Sequence, residues 1–352
     1  MSYVRLLRTQ GAAGFFITTV LGRLGIAMYG LSIILTAATT YGDYVRAGLV
    51  GGAFAGAEAV GGPIFGRFAD RHGQRRTLAP AAALHLVAVS GLAFALLAGA
   101  PVALAVATAA VGGASVPQLG ALAAARWSHL LRGDPRLETA LSLEAVANDV
   151  AFIAGPLAVA AVVSLLGPAH AAAIACLLVV VAALVLAVQD LDVGARAPGP
   201  RVGRELIGPG LANLLLGLLF GTAQLAVTAL ARERGAEGLA GLYYLTMSLG
   251  SLAASAVYGL IRWRGPVWYR VVGAVFLVSA GAVAVLTVGG FAALFVLGLG
   301  VGPLIVVTGT LVERRAGPGR LTQAFALMSA LSAAGIALAG PVGGAAVQAW
   351  LA

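Results

Sequence analysis

The sequence predicts an all-α, polytopic membrane protein: about eleven transmembrane helices arranged as two pseudo-symmetric bundles. Three observations predict it. Of 352 residues, 60% are hydrophobic and only 10% charged, whereas a soluble domain carries roughly a quarter charged residues. The apolar residues gather in stretches of about 20 or more, the length that crosses a bilayer. A segment of the second half also repeats one of the first.

The spans are read at 11–39, 44–66, 78–98, 101–125, 139–166, 169–188, 208–231, 238–261, 270–289, 290–312 and 321–350. Gly99-Ala100-Pro101, Gly167-Pro168 and Gly289-Gly290 leave almost no connection between neighbours. Orientation follows from the arginines. With the N-terminus inside, the inner segments hold Arg5 and Arg8; Arg67, Arg71, Arg75 and Arg76; and Arg126, Arg132 and Arg136. The second half adds Arg196, Arg201 and Arg204; Arg262, Arg264 and Arg270; and Arg314, Arg315 and Arg320. Only Arg46, Arg232 and Arg234 fall outside, and Arg23 lies within the first span. Eighteen against three is a decisive positive-inside bias. It implies a cytoplasmic N-terminus, and the chain is expected in the inner (plasma) membrane. No small-residue cleavage site follows a short apolar core near Arg5 and Arg8, so no removable signal peptide is expected.

The polar stretch Gln189 to Arg204, with Asp190, Asp192, Pro198 and Pro200, divides the chain. Residues 1–188 form an N-terminal six-helix bundle, 189–207 a cytoplasmic linker, and 208–352 a C-terminal bundle of about five helices. The repeat supports the division. Residues 136–162 echo 320–347, with Arg136-Leu137 matching Arg320-Leu321 at an offset of 184 and Gly155-Pro156 matching Gly340-Pro341 at 185. The fifth span therefore maps onto the eleventh, and the halves run in parallel.

Several classes are excluded. A net charge of +9 and a pI near 10.6 suit nucleic acid, but the arginines alternate between loops and form no single patch, so none is expected to bind. Every basic residue is arginine, a mark of GC-rich coding from which no function follows. Cys176 is alone, and His72, His85, His129 and His170 lie in separate segments, so neither a disulfide nor a metal site is expected. No nucleophile and base pair and no phosphate loop is present. The chain does not read as an enzyme, and no cofactor is expected.

Residues 66–76, Gly-Arg-Phe-Ala-Asp-Arg-His-Gly-Gln-Arg-Arg, carry five charges and a histidine between two apolar spans. They cannot sit in hydrocarbon and read as a short loop. Their pattern of Gly66, Asp70, Arg71, Gly73, Arg75 and Arg76 resembles the signature loop of the major facilitator superfamily, and the resemblance extends over the whole chain. It implies two six-helix halves with alternating access between them. It also implies a gate in which Asp70 and a neighbouring arginine join the start of the eleventh span, near Thr322 and Gln323, and close the cytoplasmic side. The physical sense is that Asp70 accepts from the orphan amides of a helix start while pairing with Arg71 or Arg75. The equivalent Gly259-Leu260-Ile261-Arg262-Trp263-Arg264-Gly265 has no acid, so only the first half is expected to hold the full latch. Gly155-Pro156 is similar to the drug-export signature of the family, but Ala151 and Val159 stand where that signature has glycines; a simple helix kink is the better reading. The chain stops at Trp350-Leu351-Ala352, where the family's lipid-side twelfth helix would follow; it is either truncated there or does without that helix.

Charges inside spans cost about 2.5–3.5 kcal/mol each at a helix centre. There are four: Arg23 in the first span, Glu58 in the second, Glu144 and Asp149 in the fifth. At 1.5 Å per residue, Arg23 lies roughly 18 Å above the inner helix start, Asp149 roughly 14 Å and Glu58 at a similar depth. Arg23 and Asp149 are expected to pair at mid-membrane, with Asp149 exchanging a proton and Glu58 the next candidate; the alternative is a static pair that locks the bundle. Glu144 and Asn148 share a helix face, and Asp149 points about 140° away. Glu144, near the inner surface, is expected to reach water. The second half offers Asn213, Thr222, Gln224 and Thr228 to a neutral or cationic molecule, while Thr308 and Thr310 back-bond to their helix. His85 reads as a packed histidine. The expected site is thus Arg23, Glu58, Glu144, Asn148, Asp149 and Gln224.

These readings imply a secondary transporter of a small organic molecule, acting as a monomer in membrane lipid, with proton-coupled efflux foremost. Proton-coupled uptake of a metabolite or sugar, and a non-transporting membrane sensor or assembly protein, are the alternatives.

Overall fold

The computed structural model describes residues 3–189, 203–233, 239–263, 265–287, 290–316 and 319–351, with 224–233, 239–240, 286 and 340–351 described by backbone alone. Most of the linker expected at 189–207 therefore lies outside the described residues. All regular structure among the described residues is helical. In order the helices are α1 (Tyr3–Leu7), α2 (Ala12–Tyr41), α3 (Tyr44–His72), α4 (Gln74–Leu97), α5 (Val102–Ala114), α6 (Leu119–Leu130) and α7 (Leu137–Leu166). They continue with α8 (Pro168–Val188), α9 (Ile207–Glu233), α10 (Leu239–Tyr258), α11 (Val267–Thr287), α12 (Gly290–Ala316) and α13 (Leu321–Leu351).

Ten candidate spans among the described residues are long and apolar enough to cross a membrane, with α5 and α6 together making one of them. Helix α10, 20 residues long, holds the eighth predicted place. In lipid every backbone amide and carbonyl must find a partner within the protein, which long helices supply by themselves.

Two expectations are corrected. The fourth span is not continuous: α5 ends at Ala114 and α6 begins at Leu119. Pro117 has no amide to donate, and its ring pushes the preceding residue away from helical geometry. The segment 66–76, read as a loop, is helical up to His72 and again from Gln74. A helix leaving the membrane keeps its own hydrogen bonds in water, so charge did not require a loop here. Gly73 alone makes the joint, at φ 85° and ψ 149°, a conformation other residues reach only with strain.

Successive long helices alternate in direction. The starts of α2, α4, α7, α9, α11 and α13 consequently lie together at the arginine-rich end. Within the first half α2 packs on α8, α3 on α5 and α4 on α8; within the second α9 packs on α13, and α10 and α11 pack on α12. The halves meet where α13 lies against α3 and α6, and where α7 lies against α10 and α12.

The core of the first bundle is centred on Trp127, fully buried, with the Phe15 ring edge-on at 4.7 Å. Most polar groups described inside it are paired, as low dielectric demands, with Arg23 Nε an exception. Arg126 donates to Gln74 Oε1 at 2.7 Å and to the Leu186 carbonyl at 2.7 Å, tying α6 to α4 and α8. His85 is fully buried, with Nδ1 3.0 Å from the Gly112 carbonyl and Nε2 2.6 Å from the Tyr29 hydroxyl. The carbonyl can only accept, so Nδ1 carries the proton and Tyr29 donates to Nε2. This is a packed histidine, as the sequence suggested.

Candidate functional site

The seam between the halves is built first by two helix ends. Asp70 lies in the last turn of α3, and α13 starts at Leu321 with amides that have no partner in their own helix. The Thr322 amide donates to Asp70 Oδ1 at 3.1 Å and the Gln323 amide to Oδ2 at 2.8 Å. One carboxylate thus caps α13 from another helix and meets the positive end of its dipole. Gly66, one turn earlier, is what lets the helices come so close. A Cβ there would stand 2.7 Å from Gln323 Cα and 2.8 Å from both Gln323 N and the Thr322 carbonyl oxygen. Arg71 and Arg75 are exposed, and none of the described ion pairs joins either to Asp70.

The second contact carries no motif in the sequence. Glu138, in the first turn of α7, accepts from Arg270 Nη1 of α11 at 2.7 Å and from Arg314 Nη2 of α12 at 3.3 Å. Arg270 also donates to the Tyr258 hydroxyl at 3.0 Å. Below this pair Ser142 of α7 donates to the Ser255 carbonyl of α10, and the Tyr3 hydroxyl donates to the Ala256 carbonyl at 2.6 Å. Tyr3 lies outside the spans; burial raises its phenol above the ordinary value, so it stays protonated as a donor. Gly259 repeats the part of Gly66, since a Cβ there would lie 2.5 Å from Ser142 Oγ and Tyr3 Oη.

The second half therefore does hold a contact at the equivalent place, with the charges exchanged: the acid is on the helix start, and the arginines belong to other helices. One signal pointed to it. Glu138 and Thr322 are related by the same 184-residue offset as the repeat.

The charges inside the spans are arranged differently from expectation. Arg23 pairs with Glu144, not Asp149: one Nη donates to the Glu144 carboxylate and the other to its carbonyl at 3.1 Å. Trp127 Nε1 donates to the remaining carboxylate oxygen at 2.7 Å. Glu144 is 7% exposed and does not reach water. The reason is side-chain direction. Residues on a helix lean back towards its N-terminus, which brings the long Arg23 side chain down from its Cα depth to that of Glu144. This pair lies among α2, α6 and α7, inside one bundle.

Asp149 points the other way, as the 140° separation required. It is 7% exposed and accepts from Ser251 Oγ of α10 at 2.9 Å, so it lies across the seam. Glu58 is partly buried on the same i,i+4 ridge of α3 as Gly62, Gly66 and Asp70, and it faces the Gln118 amide at the break between α5 and α6. Neither acid belongs to any described ion pair. Asn148 is half-buried beside Asp149. Asn213 bonds to its own helix at the Pro209 carbonyl, as do Thr308 and Thr310 to theirs. The side chain of Gln224 lies outside the described residues. No cluster of metal ligands occurs among the described residues.

The described hydrogen bonds and ion pairs that cross the seam thus run from the arginine-rich end to mid-depth. Chemically, the arrangement can hold two bundles together at one end while placing two carboxylates that belong to none of the described ion pairs on helices that line the seam.

Comparison with known proteins places this geometry. The family profile described as Major Facilitator Superfamily matches residues 15–209. Similar solved structures include the human organic anion transporter MFSD10, 17% identical with a TM-score of 0.71, over 97% of this chain and 93% of that one. A bacterial homologue of the iron transporter ferroportin, in an outward-facing state, is 14% identical with a TM-score of 0.72, over 97% and 95% of the two chains. The transporter FucP in its outward conformation is 14% identical with a TM-score of 0.66, over 95% and 92%. A search of curated protein sequences finds no match. Because the profile matches more than half of this chain and the fold is shared over 97% of it, this chain is a multi-pass membrane protein of the Major Facilitator Superfamily, whose fold is that of membrane transporters.

Proposed function

We propose that this protein is a secondary active transporter that moves a small organic molecule by alternating access and couples its efflux to protons. The moving units are the bundles of residues 1–188 and 208–352, acting as a monomer in the inner membrane with the arginine-rich end in the cytoplasm. The observation that carries the reading is Asp149. It is a buried carboxylate on one bundle whose described partner is a hydroxyl, Ser251, on the other. A static protein has no reason to bear the cost of an unpaired acid at a parting surface.

The geometry supports the following cycle. The contacts of Asp70 and Glu138 close the cytoplasmic end, which suits an outward-facing state. When the bundles rock, Asp149 leaves Ser251 and meets water, so its proton can come from one side and leave to the other. Glu58, on the α3 ridge that carries Asp70, and Gln118 beside it suit a neutral or cationic molecule. Arg23, neutralised by Glu144, holds α2, α6 and α7 together and takes no part in proton exchange.

Proteoliposomes with an imposed pH gradient, screened across cationic, neutral and anionic compounds, test this reading. Gradient-driven movement of a cationic or neutral compound is the expected result. Movement that ignores the pH gradient for every compound would remove proton coupling.

A further inference from the structure

Helix α3 has a second face. At about 100° per residue, Val60, Ile64, Arg67, Phe68 and Arg71 lie on the side turned away from the Gly66–Asp70 ridge. Val60 is 68% exposed, and Ile64 and Phe68 are each 54% exposed. In a membrane-spanning helix such a stripe faces acyl chains. It runs directly into Arg67 and Arg71, both exposed, with the exposed Arg75 and Arg76 just beyond Gly73. None of these four guanidiniums belongs to a described ion pair. The acid of this segment, Asp70, is turned to the other side and occupied by the α13 amides. His72 stacks on Phe68 at 5.7 Å and adds a flat, polarisable edge between the apolar stripe and the arginines.

We propose that this corner of α3 and α4 is a binding site for an anionic phospholipid. The tail lies along Val60, Ile64 and Phe68, and the phosphate is held by Arg67 and Arg71. Each half is explained by the other: an apolar stripe alone would accept any lipid, and a basic cluster alone would attract any anion. Their continuity on one helix face selects an amphiphile with a negative head. Guanidinium suits phosphate because its donors form a fixed fork. The site is also back to back with the contact that closes the seam, so a bound lipid would hold the end of α3 in the orientation that presents Asp70 to α13.

The test is native mass spectrometry of the full-length protein with phosphatidylglycerol and phosphatidylcholine of identical acyl chains. The expected result is retention of phosphatidylglycerol over phosphatidylcholine, a preference that salt erodes. In Arg67→Gln/Arg71→Gln that preference falls about tenfold or more, the scale of two basic residues at an anionic surface. Arg5→Gln/Arg8→Gln removes two exposed arginines at the same end and should leave it intact. Equal retention of the two lipids by the unmodified protein, or a preference that salt does not erode, overturns the proposal without recourse to any variant. An equal loss in both double variants also overturns it, since binding would then follow net charge and not this corner.

Discussion

Asp70 Oδ1 stands 3.1 Å from the Thr322 amide, so the last turn of α3 caps the first turn of α13 across the seam. Replacing Asp70 by Asn removes the charge and one of two acceptors. A shift of about 1–3 kcal/mol towards the parted state, or 5- to 150-fold in the ratio of states, is the expected result. It is read from thiol labelling of Leu141→Cys, a position buried at the seam, in a Cys176→Ala background. Thermal stability should change little, because the bundle cores are untouched.

Gly66→Val separates sterics from charge. The added atoms would meet the Gln323 and Thr322 backbone, which cannot move aside as a flexible side chain would. Labelling of Leu141→Cys should rise at least as far as with Asp70→Asn, although no charge has changed. Unaltered labelling would mean that α13 does not lie on Gly66 in the membrane.

The Glu138 contact predicts unequal partners. The Arg270 side chain is 8% exposed and that of Arg314 54% exposed. In double-mutant cycles, coupling of Glu138 to Arg270 should exceed about 1 kcal/mol, whereas coupling to Arg314 should fall below it, as exposed pairs do. Similar couplings would contradict the asymmetry of burial.

Much of this fold was legible because lipid imposes simple rules. Length, hydropathy and arginine placement located the helices, and the repeat related α7 to α13. What was not legible depended on direction in space. Counting 1.5 Å per residue put Arg23 level with Asp149, but depth at the Cα says neither which way a long side chain leans nor which face its helix shows. Glu144, judged too shallow, was the partner. The segment at 66–76 was misread for a different reason: charge shows where hydrocarbon ends, not where a helix ends. Pro117 did announce the break in the fourth span, and the surrounding hydropathy hid it. The Asp70 contact was anticipated through resemblance to a family; the Glu138 contact, which has no such motif, appeared only in three dimensions.

Arg23 and Glu144 form a static pair on this account. Arg23→Met or Glu144→Gln alone should lower the yield of folded protein, since each strands a buried partner at a cost of about 3–5 kcal/mol. The double variant Arg23→Met/Glu144→Gln should regain much of that loss and retain transport. Folded single variants with selectively lost pH dependence would instead assign proton coupling to this pair.

The central claim is that Asp149 exchanges the coupled proton. Asn at this position keeps a carbonyl oxygen to accept from Ser251, so the protein should fold and the seam should still close. In paired proteoliposome assays, Asp149→Asn should abolish transport driven by a pH gradient while leaving counterflow exchange of the same substrate intact. Transport of substrate against a gradient by well-folded Asp149→Asn would contradict the account.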